Sequence, residues 1–398
     1  MVLALQSMLF AVGIQASGAL SAGINWAIKD GVGQLGGIVY ASVLGKNFDL
    51  ESKRLRFWST VWLQLATCLE ILTPLFPGFF LAVASIANIG KNVAYLASGA
   101  TKASINRSLA TSDNLGDVTA KFGSQSTAAG LFGTVIGIST SSIIGNDFGY
   151  LCFMFVPFSI ISICSNYVGV KCVELKTFNL ERLMLVFNNS ISCNNDEFDY
   201  SKNKSSNKLS LDLDSSNFEF KNIAKNENIF FKKSQTIKFT NSINNVHLKI
   251  SPNLNKTFTD CISSGIAENY IPETCILESF SDLNSKYYIL AFLNNKNVIQ
   301  VNVWFSENSS TKDKIEGLYN SYSLVSLILS DSEQKFAEKS KKYLTKDTLK
   351  IQKDMSFNFT KDTFDKFYNQ ILEAGWNVDP SQFDNNHNRI LSKYAQEF

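Results

Sequence analysis

The chain reads as a mainly α protein, with a helical membrane-embedded N-terminal domain followed by a small soluble α+β C-terminal domain. Three observations lead there: long uncharged runs crowd into the first 180 residues, charge returns abruptly beyond them, and the last part alternates strand and helix periodicity. Over all 398 residues the composition, 45% hydrophobic and 18% charged, is that of an ordinary soluble protein. That average conceals two regimes. Through Leu180 there are 11 Lys/Arg and 8 Asp/Glu, against 26 and 27 in the remaining 218 residues.

No charged side chain occurs from Met1 to Ile28, and Met8 to Ile28 is long enough to cross a hydrocarbon core of roughly 30 Å as a helix. No basic region precedes Met8, so a cleaved secretory signal is not expected. Further uncharged runs cover Phe57 to Leu69 and Ile71 to Gly90, and Pro74 and Pro77 predict a broken or re-entrant segment in the second. Phe122 to Asn146 and Phe148 to Val170 follow, separated only by Asp147. In the first of these two, Ala129, Gly133, Gly137, Ser141 and Gly145 recur every fourth residue, a stripe that permits close helix approach in lipid. A buried helix of a large soluble bundle uses the same spacing; two runs above about 20 residues standing back to back favour the bilayer. Lys46, Lys53, Arg54 and Arg56 read as one connection and Lys91, Lys102, Arg107 and Lys121 as another, which leaves orientation open.

The expected domains are residues 1–182, a helical membrane domain; 183–245, an Asn/Ser/Lys-rich linker, partly disordered; and 246–398, the soluble α+β domain. In the last, Tyr287 to Leu293 and Val298 to Phe305 predict a hairpin turning at Asn294 to Asn297. Ile315, Leu318, Tyr319, Tyr322, Val325 and Leu329 line one side of a helix, and Phe364, Phe367, Tyr368, Ile371 and Leu372 line another that Gly375 caps.

A net charge of +2 offers no basic face for nucleic acid. Cys68, Cys152 and Cys164 lie in apolar runs as small hydrophobes, and Cys261 and Cys275 read better as free thiols than as a pair. The two histidines, His247 and His387, read as surface residues, so no histidine-based metal site or catalytic triad is expected. Gly31, Gly33 and Gly36 follow the G-x-G-x-x-G order of a dinucleotide loop, but no second strand fits before Asp49 and Glu51. Gly33, Gly37, Ala41 and Gly45 supply the structural explanation, a helix-packing repeat. No cofactor is expected.

The polar segment Lys102 to Gln125 stands between apolar stretches and holds the candidate ligand-binding residues Lys102, Arg107, Asn114, Asp117, Lys121, Ser124 and Gln125. A solvated loop at the membrane face is the competing reading. Glu70, isolated among apolar residues, is expected to pair with Lys91 or Lys102.

Five stretches in this order carry a family resemblance: NWAIKDGVGQLGG (Asn25 to Gly37), LTPLFP (Leu72 to Pro77), SGATKA (Ser98 to Ala103), DNLGDVTAKFGSQST (Asp113 to Thr127) and FNLER (Phe178 to Arg182). KYYILAF near Tyr287 and EAGW ending at Trp376 extend it into the tail. The chain resembles the root UVB-sensitive family, a eukaryotic family of unknown biochemical activity. Its start resembles a point partway into the family domain. Where the family carries Arg and an acid, this chain has Lys102 and Phe122; where it carries Glu, Ser126; where it carries Asn-Asp, Leu63 and Gln64. The missing acids argue against acid–base chemistry there. The resemblance implies a membrane of a plastid or another endomembrane, and plant relatives are associated with vitamin B6 homeostasis. The expected function is binding or passage of a small polar metabolite through the polar patch, with the tail recruiting a protein partner. A non-transporting membrane adaptor is the alternative, and a cofactor-dependent enzyme a distant third.

Overall fold

The computed structural model describes residues 5, 8, 19–44, 48, 51–110, 114–145, 147–195, 207–230, 236–240, 245–253, 257, 286–294, 298–335 and 346–378. Cys261, Cys275, His387 and the hairpin turn at 295–297 lie outside them. The chain divides into two compact units, Met1–Leu175 with Asn228–Lys232, and Lys176–Glu227 with Lys233–Phe398.

The first unit is helical: α1 (Ala19–Leu44), α2 (Ser52–Ile71), α3 (Phe80–Leu109), α4 (Leu115–Ile144) and α5 (Phe148–Cys172). Helix α1 runs past the expected end at Ile28 through Lys29 and Asp30. Lys29 is tolerated there because it is buried with its ammonium 4.3 Å from the Trp26 ring centroid and 3.0 Å from Asp30. Pro74 and Pro77 fall in two short 3-10 turns, Thr73–Leu75 and Pro77–Phe79, so the expected broken segment is a tight corner between α2 and α3. The basic residues read as loops are helical instead: Lys53, Arg54 and Arg56 in α2, and Lys91, Lys102 and Arg107 in α3.

Glycines set the spacing of this bundle. Gly31, Gly33 and Gly36 all lie inside α1, where helical hydrogen bonds consume their amides, which removes the dinucleotide-loop reading. A Cβ at Gly33 would collide with the Asn88 and Asn92 amides, and one at Gly36 would come 2.6 Å from Ile89. On the other flank of α3, a Cβ at Gly90 would sit 3.1 Å from Ala66 of α2. Helix α3 is therefore gripped closely from both sides.

Helices α3, α4 and α5 are each long and apolar enough to cross a membrane. Helix α4 buries none of its residues, and Leu131, Phe132 and Ile143 are 65%, 73% and 84% exposed. Of its small-residue stripe, Gly133 has open space around it among the described residues: nothing comes within 4 Å of a Cβ placed there. Among the described residues, α4 meets Lys102 and Asn106 of α3 near its start and Phe148 and Leu151 through Ile144 near its end. Cys164, expected among buried thiols, is exposed on α5.

The second unit is α+β. Helix α6 (Leu180–Ser190) leads into the antiparallel pair β1 (Ile191–Asn195) and β2 (Asn207–Leu211), then a 3-10 turn, α7 (Phe220–Asn226), β3 (Thr236–Thr240) and β4 (Asn245–Ile250). The described part of the 183–245 stretch is thus ordered into short elements. The predicted hairpin is β5 (Tyr287–Asn294) and β6 (Val298–Phe305), followed by α8 (Thr311–Lys335) and α9 (Lys346–Glu373). The sheet order is β3-β4-β6-β5, with β4 and β6 parallel and the other pairs antiparallel. Strand β6 is central and buried on both faces: Ile299, Val301, Val303 and Phe305 join the core of α8 and α9, while Gln300, Asn302 and Trp304 are buried opposite. His247 is half-buried in β4 rather than on the surface, and burial together with Lys238 and Lys249 pushes its pKa down. Leu372, grouped by periodicity with the core side of α9, is 49% exposed, because the stripe Phe364, Phe367 and Ile371 already faces inward.

Two family segments lock together here. Gly375, with φ +82°, ends α9: its N–H donates to Leu372 and that of Trp376 to Ile371, a Schellman arrangement only a left-handed residue completes. The reversal stacks Trp376 on Phe178, with centroids 4.1 Å apart, and its indole donates to the Phe218 carbonyl at 2.8 Å. Nearby, Asn179 caps α6, and Arg182 is buried against Glu227 at 2.8 Å and the Thr177 carbonyl. FNLER and EAGW are two halves of one core contact.

Ser310 and Asp313 form a capping box for α8. The Asp313 N–H donates to Ser310 Oγ at 3.2 Å and the Ser310 N–H to Asp313 Oδ2 at 2.9 Å, while Lys286 reaches Oδ1 at 2.6 Å. Burial pushes the Asp313 carboxyl up, but the bonds from Lys286 and Ser310 outweigh it and hold the carboxyl below its ordinary range. A carboxyl lowered in the folded state adds stability above its unfolded pKa, near ~3.9, and loses it as pH falls through the folded value. Asp313→Asn is expected to cost about 1 kcal/mol at neutral pH, with the gap to wild type closing in strong acid. Urea unfolding followed by tryptophan fluorescence at pH 7 and in strong acid checks this; a gap independent of pH contradicts it.

Candidate functional site

The sequence-predicted patch spans the end of α3 and the start of α4. Lys102 lies 4.2 Å from the Phe122 ring centroid. Asn106 is buried and donates to Thr119 at 3.5 Å. Asn114 is the N-cap residue of α4, and Lys121 pairs with Asp117 at 2.8 Å on an exposed turn. Ser124 donates to the Ala120 carbonyl of its own helix, and Arg107 and Gln125 are exposed. The structure brings Lys102 and Asn106 against α4 but leaves Arg107, Asn114, Asp117, Lys121, Ser124 and Gln125 along an open surface.

The contact between Lys102 and Phe122 places a cation over an aromatic face, which is attractive in its own right.

A deeper arrangement begins at Lys102 and runs back along α3. Asn88, Lys91, Ser98, Lys102 and Asn106 fall within an arc of about 80° on one helix face and extend over about 27 Å. Each meets a partner on a neighbouring helix. Asn88 donates to the Lys29 carbonyl and to Asp30 of α1, both at 3.1 Å. Lys91 pairs with Glu70 of α2, whose side chain is 1% exposed. Arg56 of α2 donates to the Ser98 carbonyl at 2.9 Å and to its hydroxyl. Lys102 and Asn106 then meet Phe122 and Thr119 of α4.

This seam is physically demanding. A lone buried charge is very costly, and pairing Glu70 with Lys91 offsets the desolvation of both. The sequence signalled only its centre, through an isolated Glu70 with Lys91 or Lys102 as partner; the structure selects Lys91. Asp30, Asn88 and Arg56 join only because α1 and α2 pack on α3. A second clamp uses Gln64: its amide accepts from Ser159 at 3.1 Å and donates to Ser162 at 3.1 Å, tying α2 to α5.

Removing one partner of the buried pair strands the other. Glu70→Gln or Lys91→Met is expected to destabilise the helical unit by about 3–5 kcal/mol, and Glu70→Leu/Lys91→Met together by clearly less than either alone. Thermal unfolding in detergent checks the cycle, and simple additivity of the two losses contradicts the pairing.

Comparison with known proteins covers both units. The family described as the vitamin B6 photo-protection and homoeostasis domain matches residues 1–193, and that described as root UVB sensitive protein, C-terminal, matches residues 267–392. The chain is 37% identical to protein root UVB sensitive 4 of Arabidopsis thaliana, over 46% of this chain and 37% of the relative. It is 34% identical to RUS family member 1 of Dictyostelium discoideum, over 45% and 34%. It is 33% identical to protein root UVB sensitive 2, chloroplastic, of Arabidopsis thaliana, over 47% and 43%. The matches span less than half the length of each of these relatives. No solved structure matches the chain. With one family region over the helical unit and its companion over the tail, the chain belongs to the root UVB-sensitive family.

Proposed function

We propose that the helical unit is embedded in a membrane and binds a small polar metabolite, or carries it across, along the polar face of α3. The observation that carries this reading is the Glu70–Lys91 pair, held in an otherwise apolar bundle. Ionisable groups within membrane-spanning segments are costly and mark the paths of polar solutes far more often than they serve packing alone. The seam gives a solute alternating donors and acceptors: the Asn88 amide, the Lys91–Glu70 pair, the Arg56–Ser98 pair and Lys102. Arg107, Asn114, Asp117, Lys121, Ser124 and Gln125 stand where the seam opens at α4 and serve as its mouth.

Nothing in this reading requires a covalent step. The seam pairs its charges instead of presenting a nucleophile beside a base, so its chemistry is recognition by hydrogen bonds and charge. The description of the matching domain directs the choice of solutes toward vitamin B6 compounds, which combine a polar ring with a hydroxyl or phosphate.

Purified protein in lipid vesicles, presented with a panel of vitamin B6 vitamers and other small polar metabolites, tests the proposal. Wild type is expected to take up at least one of them and to be thermally stabilised by it. Lys91→Met is expected to reduce uptake at least tenfold. Wild-type protein that neither transports nor is stabilised by any solute of the panel contradicts the reading.

A further inference from the structure

At the end of the bundle where α2 begins, the first unit has a groove of about 370 Å³. Its walls include Tyr40 of α1, Arg54, Trp58 and Trp62 of α2, Ala97 of α3, and Phe230. Arg54, Trp58 and Trp62 recur every fourth residue, so they stand in one line on α2. Leu65 follows one turn on and is 56% exposed, which continues the apolar edge beyond the groove.

The groove is built rather than incidental. The Trp58 indole N–H donates to the Phe230 carbonyl at 2.9 Å, which fixes its ring, and Phe230 packs on Phe57 and Tyr167. Trp62 projects its ring at 55% exposure. Arg54 holds the Glu51 carboxylate at the rim. The antiparallel run of α2 and α3, registered by the Arg56–Ser98 bond, brings Lys53, Arg54, Arg56, Lys102 and Arg107 to the same end of the bundle. Among the described residues, cations outnumber carboxylates there.

One charged end, two tryptophans and a continuing apolar edge match an amphiphile lying along a helix. An anion is drawn to the basic end, and a guanidinium suits phosphate. Tryptophan favours the depth where headgroup meets hydrocarbon. A soluble anion would use the basic end but leave Trp62 and Leu65 uncovered.

We propose that this groove is a specific glycerophospholipid site, with the phosphodiester at Arg54 beside Tyr40 and an acyl chain along Trp58, Trp62 and Leu65. The proposal rests on the membrane-embedded reading of the helical unit and is separate from the metabolite seam, since none of the seam's contacts line the groove.

Native mass spectrometry of the full chain purified in mild detergent tests it. Wild type is expected to retain one phospholipid per chain, Arg54→Gln and Trp62→Ala at least fivefold less, and Trp62→Phe nearly as much as wild type. Phe132→Ala, on the exposed face of α4, is expected to retain lipid as wild type does, and circular dichroism confirms that each variant is folded. Equal retention by wild type, Arg54→Gln and Trp62→Ala, or equal loss in Phe132→Ala, overturns the site in favour of a general lipid coat. Displacement of the lipid by glycerol phosphate alone overturns it in favour of a soluble anion. A chain that stays soluble without detergent instead defeats the membrane reading itself, so the two failures are distinguishable.

Discussion

The helical unit depends on one line of polar side chains down α3. Asn88 holds α1, Lys91 and Ser98 hold α2, and Lys102 and Asn106 hold α4. In lipid, apolar surface gives helices little reason to prefer one another, so close packing and polar contacts must select the arrangement. Both are present on α3: glycine permits approach at Gly33, Gly36 and Gly90, and the polar line specifies register. A shift of α3 by one residue would carry Lys91 away from Glu70 and turn Asn88 from Asp30.

Helices α4 and α5 obey a different constraint. Helix α4 buries none of its residues in this chain, and α5 buries only Leu151 and Val170. Soluble monomers rarely expose apolar area on this scale. The length and composition of these helices suit a hydrocarbon cover, and the proposed membrane placement rests on that surface more than on any motif. The tail is organised oppositely, around an aromatic core in which Trp376, Phe178, Phe187, Tyr319 and Phe367 meet.

What the sequence made legible follows the range of the interactions. Elements governed by local periodicity were readable: the β5–β6 hairpin, helices α8 and α9, and the turn at Gly375. The long uncharged runs that fall in the described residues correspond largely to helices for the same reason. Contacts joining distant residues were not readable, because no local pattern marks Asp30 as a neighbour of Asn88 or Phe178 as a partner of Trp376. Glu70 was the exception, since an acid isolated in an apolar run announces that it needs a cation. The described part of 183–245 combines Asn and Ser residues in short strands and turns with apolar residues, among them Leu183, Phe187, Phe218 and Ile223, that are buried. Of the candidate patch, only Lys102 is tied into the α3 line among the described residues, through its contact with Phe122.

The central claim is that the first unit has a bilayer as its solvent and an internal polar line as its organising contact. Alkaline carbonate extraction of membranes carrying the full chain tests it most directly. The protein is expected to stay in the membrane pellet and to leave it only with detergent. Release of the full-length chain into the soluble fraction would contradict it.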